Sequence, residues 1–160
     1  MSEYLATVAW SRAKDEAFTD DKYSRGHEWR FDGGVVVPAS ASPHIVPAPY
    51  SVEANVDPEE AFVASLSSCH MLFFLSIAGR KKYCIDAYID NAVGVLERGA
   101  EGRMAMTRVT LRPQIKFSGD NRPDEAEIVR IHHKSHQLCF IANSVKTDVV
   151  TEPMPYQGDE

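Results

Sequence analysis

Two cysteines stand where their neighbours could alter their chemistry. Cys69 lies within residues 61–79, a segment without formal charge, beside the small residues Ala64, Ser65, Ser67 and Ser68 that let another backbone approach closely. Taken alone it reads as a packed core cysteine, because a buried thiol behaves as a small hydrophobe. Cys139 follows His132 and His136 at i, i+4 and i+7, which puts all three on one helix face. That face is the side of a half-exposed helix, a thiol with imidazole neighbours, or, with His70 beside Cys69, a zinc site. No Cys-x-x-Cys pair accompanies them, so the metal reading ranks behind the others. Cys84 follows Lys81, Lys82 and Tyr83 with nothing to activate it, and reads as structural or incidental.

A reactive thiol needs charged company. In residues 23–31, Tyr23, Arg25, His27, Trp29 and Phe31 share one strand face, while Ser24, Gly26, Glu28 and Arg30 share the other. Arg25 therefore points inward with the aromatics and needs a partner anion, for which Glu59 and a cysteine thiolate both qualify. A guanidinium about 4 Å from a thiolate contributes roughly 4 kcal/mol at an effective dielectric near 20, or about three pKa units. That is enough to make a thiol nucleophilic near neutral pH. Glu59 and Glu60 separate by position. Glu60 stands at the third helical residue, where a capping box takes it; Glu59 either complements the helix dipole or is free to hold a catalytic group.

The elements that must position these groups follow from pattern. Residues 4–10 read as a short strand, 14–22 as a polar connector, and 23–31 as a strand. Asp32-Gly33-Gly34 makes a hairpin turn into a return strand at 35–37, and the Pro-, Ala- and Ser-rich residues 38–49 form a loop. Asp57 caps a long central helix over about 58–79, with Pro58 at its first position and Gly79 and the basic triplet at its end. Residues 85–97 and 105–117 read as two paired strands, with Pro113 marking an edge or bulge. A second helix starts within 121–125 and runs to about Leu138. A last strand covers 145–151, and 152–160 form a frayed tail. The order is that of an α+β domain spanning 1–160, with an N-terminal β lobe (about 1–50), the central helix, and a C-terminal β/α lobe (about 84–151).

Composition bounds the function. Of 160 residues, 44% are hydrophobic and 25% charged, as in an ordinary globular domain. The formal net charge of -6 argues against nucleic acid as a partner. Residues 61–79 are about long enough to span a bilayer, but Ser65, Ser67, Ser68, Cys69, His70 and Ser76 interrupt them, and a buried central helix is the better reading. The N-terminus lacks a basic and an apolar signal region, so the expected compartment is the cytoplasm, where cysteines serve packing, metal binding or chemistry.

At this point the residues resemble a known family. Asp57-Pro58-Glu59-Glu60-Ala61-Phe62, followed by Ser67-Ser68-Cys69-His70, resembles the central-helix motif of the OsmC/Ohr family, the osmotically inducible and organic hydroperoxide resistance proteins. The run from His132 to Cys139, then Asn143, is similar to the family's second motif, and 23–34 to the N-terminal strand and turn of an OsmC-like subgroup. One departure is Phe140, where the family often has proline. The resemblance implies an α+β fold of antiparallel strands around a long buried central helix, made as an intertwined homodimer. It implies a cysteine-based peroxidase without metal, haem or other cofactor. Cys69 matches the attacking thiol, Cys139 the resolving thiol that closes a disulfide with it, and Glu59 the family's acidic residue. Arg25 is the choice for the catalytic arginine, with Arg30 as fallback. The implied partners are an organic hydroperoxide and a lipoyl-type dithiol reductant. Two alternatives remain: a non-catalytic dimer that holds a lipid or small apolar ligand against Trp29, Phe31, Phe73 and Phe74, and a metal enzyme using His132, His136 and Cys139.

Overall fold

The computed structural model describes residues 1–157 and shows the expected α+β architecture of two helices and several mostly antiparallel sheets. It divides into two compact units, Met1–Ala61 and Phe62–Glu160.

In the first unit, β1 (Ala6–Ala9), β2 (His27–Phe31) and β3 (Val36–Ala39) form one antiparallel sheet in that order. The hairpin expected at Asp32-Gly33-Gly34 is present. Gly34 donates its N–H to Phe31 O at 3.0 Å and takes φ +87°, a left-handed conformation that glycine adopts without a Cβ clash. Two strand boundaries differ from expectation. Strand β2 starts only at His27, because the Arg25 N–H donates to Tyr50 O at 2.8 Å, in the loop, and not to a strand. Strand β3 runs on through Pro38 instead of ending before it. The Pro38 carbonyl faces Val56, whose N–H it accepts at 3.1 Å, so the missing proline N–H also faces away from β2 and no ladder bond is lost.

Helix α1 (Pro58–Arg80) starts in the first unit with a full capping box. Glu60 N–H donates to Asp57 Oδ1 at 2.8 Å, and Asp57 N–H donates back to Glu60 Oε2 at 3.1 Å. The far end is closed by Lys82 rather than Gly79. Lys82 takes φ +65°, and the N–H groups of Lys82 and Tyr83 donate to Gly79 O and Ala78 O, both at 3.0 Å. These two bonds satisfy the last carbonyls with a lysine in the usual glycine position.

The second unit holds two further sheets. The expected pair of long strands is broken on both sides. β4 (Cys84–Asp90) pairs with β7 (Pro113–Ser118), while β5 (Val93–Arg98) pairs with β6 (Met104–Leu111) in a separate sheet. The cause lies at Asp90, whose carboxylate accepts the Arg112 N–H at 2.6 Å and the Ser67 hydroxyl, while Pro113 has no N–H to continue the ladder. β8 (Asp148–Thr151) joins β6 in parallel. The tail expected to fray is pinned instead. Glu152 and Met154 donate backbone N–H groups to Leu111 O and Pro113 O at 2.8 and 2.9 Å, and Gln157 N–H reaches the Gln114 side chain at 3.1 Å. The last three positions, 158–160, lie outside the described residues.

Within one chain α1 buries a single stripe, Leu66, His70, Phe74 and Ala78, at successive i+4 steps. Leu66 packs with Val109 and Leu111; Phe74 and Ala78 pack with Ile131 of the second helix. Each fully buried aliphatic or aromatic side chain contributes roughly 1.5–3 kcal/mol. Gly94 lets β5 approach this helix, since a Cβ there would lie 2.5 Å from Val63 Cγ2 and 2.4 Å from Met106 Cε. The opposite side of α1, with Ala64, Ser65, Ser68, Ser76 and Gly79, is exposed, and Leu72 on that side is 60% accessible. By length and composition alone α1 would also suffice to cross a membrane.

Candidate functional site

Each thiol comes from one helix of the second unit. Cys69 lies mid-way along α1 and is half-buried. Cys139 ends α2 (Glu125–Leu138), a helix whose start is fixed by Asp124 accepting the Glu127 N–H at 2.7 Å. At the other end Cys139 donates its own N–H to Ser135 O and His136 O, so the chain leaves the helix with the thiol turned back beneath it. Cys139 is 1% exposed.

Cys69 is the neighbouring side chain that acts on Cys139, and both thiols are free. Burial, and then the hydrogen bond with Cys69, push the Cys139 thiol up from its ordinary range. The N–H groups of Ala142 (3.4 Å from Sγ) and Ile141 pull the other way without winning. Asn143, the downstream asparagine of the motif, donates its N–H to Cys139 O at 3.0 Å and its side-chain amide to Gln137 O at 3.0 Å. Phe140 is 73% exposed and packs edge-on against Phe73, ring centres 5.1 Å apart.

A pair of imidazoles lies between the same two helices. His70 Nε2 and His132 Nδ1 are 3.0 Å apart, with the rings stacked at 15°. His132 also lies 4.3 Å from the Phe74 ring. Burial lowers His132 to about 3, with His70 adding to the effect, and lowers His70 to about 4, with His136 adding. Both rings are therefore neutral at pH 7, one donating and the other accepting. Among the described residues no three His, Cys, Asp or Glu side chains converge as metal ligands. His132 instead turns Nδ1 to His70. The sequence placed His132 and His136 correctly on the Cys139 face but gave no sign of this cross-helix bond.

The other expected site residues lie in the first unit. Glu59 is half-buried and stands outside the capping box, as its position predicted. Arg25 has a different anion from either one expected. Its guanidinium pairs with Asp21 Oδ1 at 2.6 Å, donates to the Asp21 and Tyr23 carbonyls, and lies 3.8 Å above the Tyr23 ring. Asp21 takes φ +61° to meet it, a local turn that no strand periodicity announces. Arg30 is exposed and paired with Glu28 at 2.8 Å, on the opposite face as expected. Phe74 is fully buried in the core, so it is not free to line a ligand pocket with Phe73.

An α+β chain with one cysteine on each of its two helices is the frame, and comparison with known proteins supplies the class. Residues 52–153 match the family model of OsmC-like proteins, and the chain belongs to that family. An OsmC-like protein of unknown function from Vibrio cholerae is 58% identical, with a TM-score of 0.95 over 96% of this chain and all of that one. The organic hydroperoxide resistance protein of Elizabethkingia anophelis (14% identity, TM-score 0.69, 99% and 98% of the two chains) shares the fold. So does the organic hydroperoxide resistance protein OhrB of Bacillus subtilis (17%, 0.66, 96% and 98%). No curated protein matches the sequence.

Proposed function

We propose that this protein is a thiol-dependent peroxidase that reduces organic hydroperoxides. The observation that supports it best is that Cys69 of one helix neighbours a buried Cys139 thiol of the other that keeps its proton. Cys69, the less buried of the two, is the attacking sulfur. It attacks one peroxide oxygen; the O–O bond breaks, the alkoxide leaves and takes up a proton, and Cys69 becomes a sulfenic acid. Cys139 sulfur then attacks Cys69 sulfur. The S–S bond forms, the S–O bond breaks, and the hydroxyl leaves as water with the Cys139 proton. A lipoyl-type dithiol restores both thiols by exchange and is itself oxidised to a disulfide. No metal or other bound cofactor takes part.

In this reading Arg25 and Glu59 are the assisting residues, Arg25 to stabilise the thiolate and Glu59 to orient the guanidinium. The working unit is a homodimer, because the exposed side of α1 carries Leu72 among small residues that admit a second copy, and its compartment is the cytoplasm that the N-terminal sequence suggests. The test is turnover of cumene hydroperoxide with dihydrolipoamide. Wild type consumes peroxide, and Cys69→Ser does not; full activity in Cys69→Ser overturns the mechanism.

A further inference from the structure

We propose that His70 and His132 form a polar clamp between α1 and α2 that holds Cys69 and Cys139 in register for disulfide closure. The inference rests on the reading of those cysteines as a redox pair. His70 adjoins Cys69 on α1, and His132 stands two turns before Cys139 on α2, so the bond at 3.0 Å joins the same two helices that carry the thiols. Apolar contacts between these helices, Phe74 and Ala78 with Ile131, resist separation but allow small slides and rotations. A hydrogen bond between two ring nitrogens fixes one angle and one distance.

The pair is costly as mere filling. His70 is 1% exposed and His132 4%, and the outer nitrogens, His70 Nδ1 and His132 Nε2, have no partner among the described residues. His136, on the same face of α2, also leaves Nδ1 unpaired. A leucine or phenylalanine at 70 or 132 would fill the space with no such cost. What an apolar pair cannot supply is the directional tie.

The clamp predicts a thermodynamic effect on the dithiol that can be read without peroxide. The protein, with exposed Cys84 changed to Ser, is equilibrated in glutathione buffers and the Cys69–Cys139 disulfide is quantified. His70→Met keeps volume and removes the bond; His70→Gln places an amide where Nε2 was and restores it. We expect the effective concentration of the two thiols to fall about tenfold in His70→Met, raising the reduction potential by about 30 mV. His70→Gln should stay within about threefold of wild type. His132→Leu and His132→Asn, whose amide sits where Nδ1 was, repeat the comparison should His70→Met fail to fold. Equal potentials in the bond-deleting and bond-keeping variants overturn the clamp alone. A parent protein that forms no Cys69–Cys139 disulfide in oxidised glutathione overturns the redox pair and the clamp with it.

Discussion

Cys69 of one helix is the neighbour that, after burial, does most to hold the Cys139 thiol at the end of the other helix above its ordinary pKa. Burial makes the two thiols unequal. Cys139 is almost fully enclosed and keeps its proton, whereas Cys69 is half-buried.

This inequality is measurable by titration. Followed by thiolate ultraviolet absorbance in a Cys84→Ser background, Cys139 should ionise well above the range of an ordinary thiol. In Cys69→Ala it should move only part of the way back, because burial is the larger cause and the hydrogen bond the smaller. Ionisation of Cys139 in the ordinary range in the parent would contradict the packing described.

The buried histidines tie stability to pH. Their folded pKa values lie below the ordinary value near 6.5, so the unfolded chain binds more protons between about pH 6.5 and 4. Stability is therefore full above that window and is lost as pH falls through it. Each histidine contributes up to about 1.4 kcal/mol per pH unit. Urea midpoints at pH 7, 6 and 5 should fall steadily, and His132→Leu should flatten the slope; a flat parent profile would argue against neutral buried rings.

The start of α1 offers a smaller test. Asp57→Ala removes an acceptor for the Glu60 N–H and should cost about 1 kcal/mol in urea unfolding, with Glu59→Ala close to neutral for stability. An equal loss in both variants would deny the separate roles of the two glutamates.

Leu72 tests the second copy. Leu72→Glu on the exposed side of α1 should convert a dimer to monomers in sedimentation, while the far-ultraviolet circular dichroism stays unchanged. An unchanged sedimentation coefficient would place any interface elsewhere.

Much of this was legible in the sequence because the signals are local. The Asp57 cap, Glu60 at its third position, the Asp32-Gly33-Gly34 turn and a helix start within 121–125 each rest on groups within a few residues of one another. The breaks were less legible. Residues 85–97 read as one strand, and strand patterning does not show that Asp90 takes the backbone N–H of Arg112 across the pair and divides it between two sheets. Arg25 was placed on an inward strand face by parity, yet its segment is tied to Tyr50 and its charge to Asp21. The His70–His132 bond joins residues 62 positions apart, which no helical spacing can foretell.

The most direct test of the central claim is mass spectrometry of the reduced protein after one equivalent of organic hydroperoxide. The account predicts a peptide pair joined through Cys69 and Cys139, with Cys84 free, that disappears on adding dihydrolipoamide. Unmodified Cys69 and Cys139 after the peroxide has been exposed to the protein, or oxidation confined to Cys84, would contradict it.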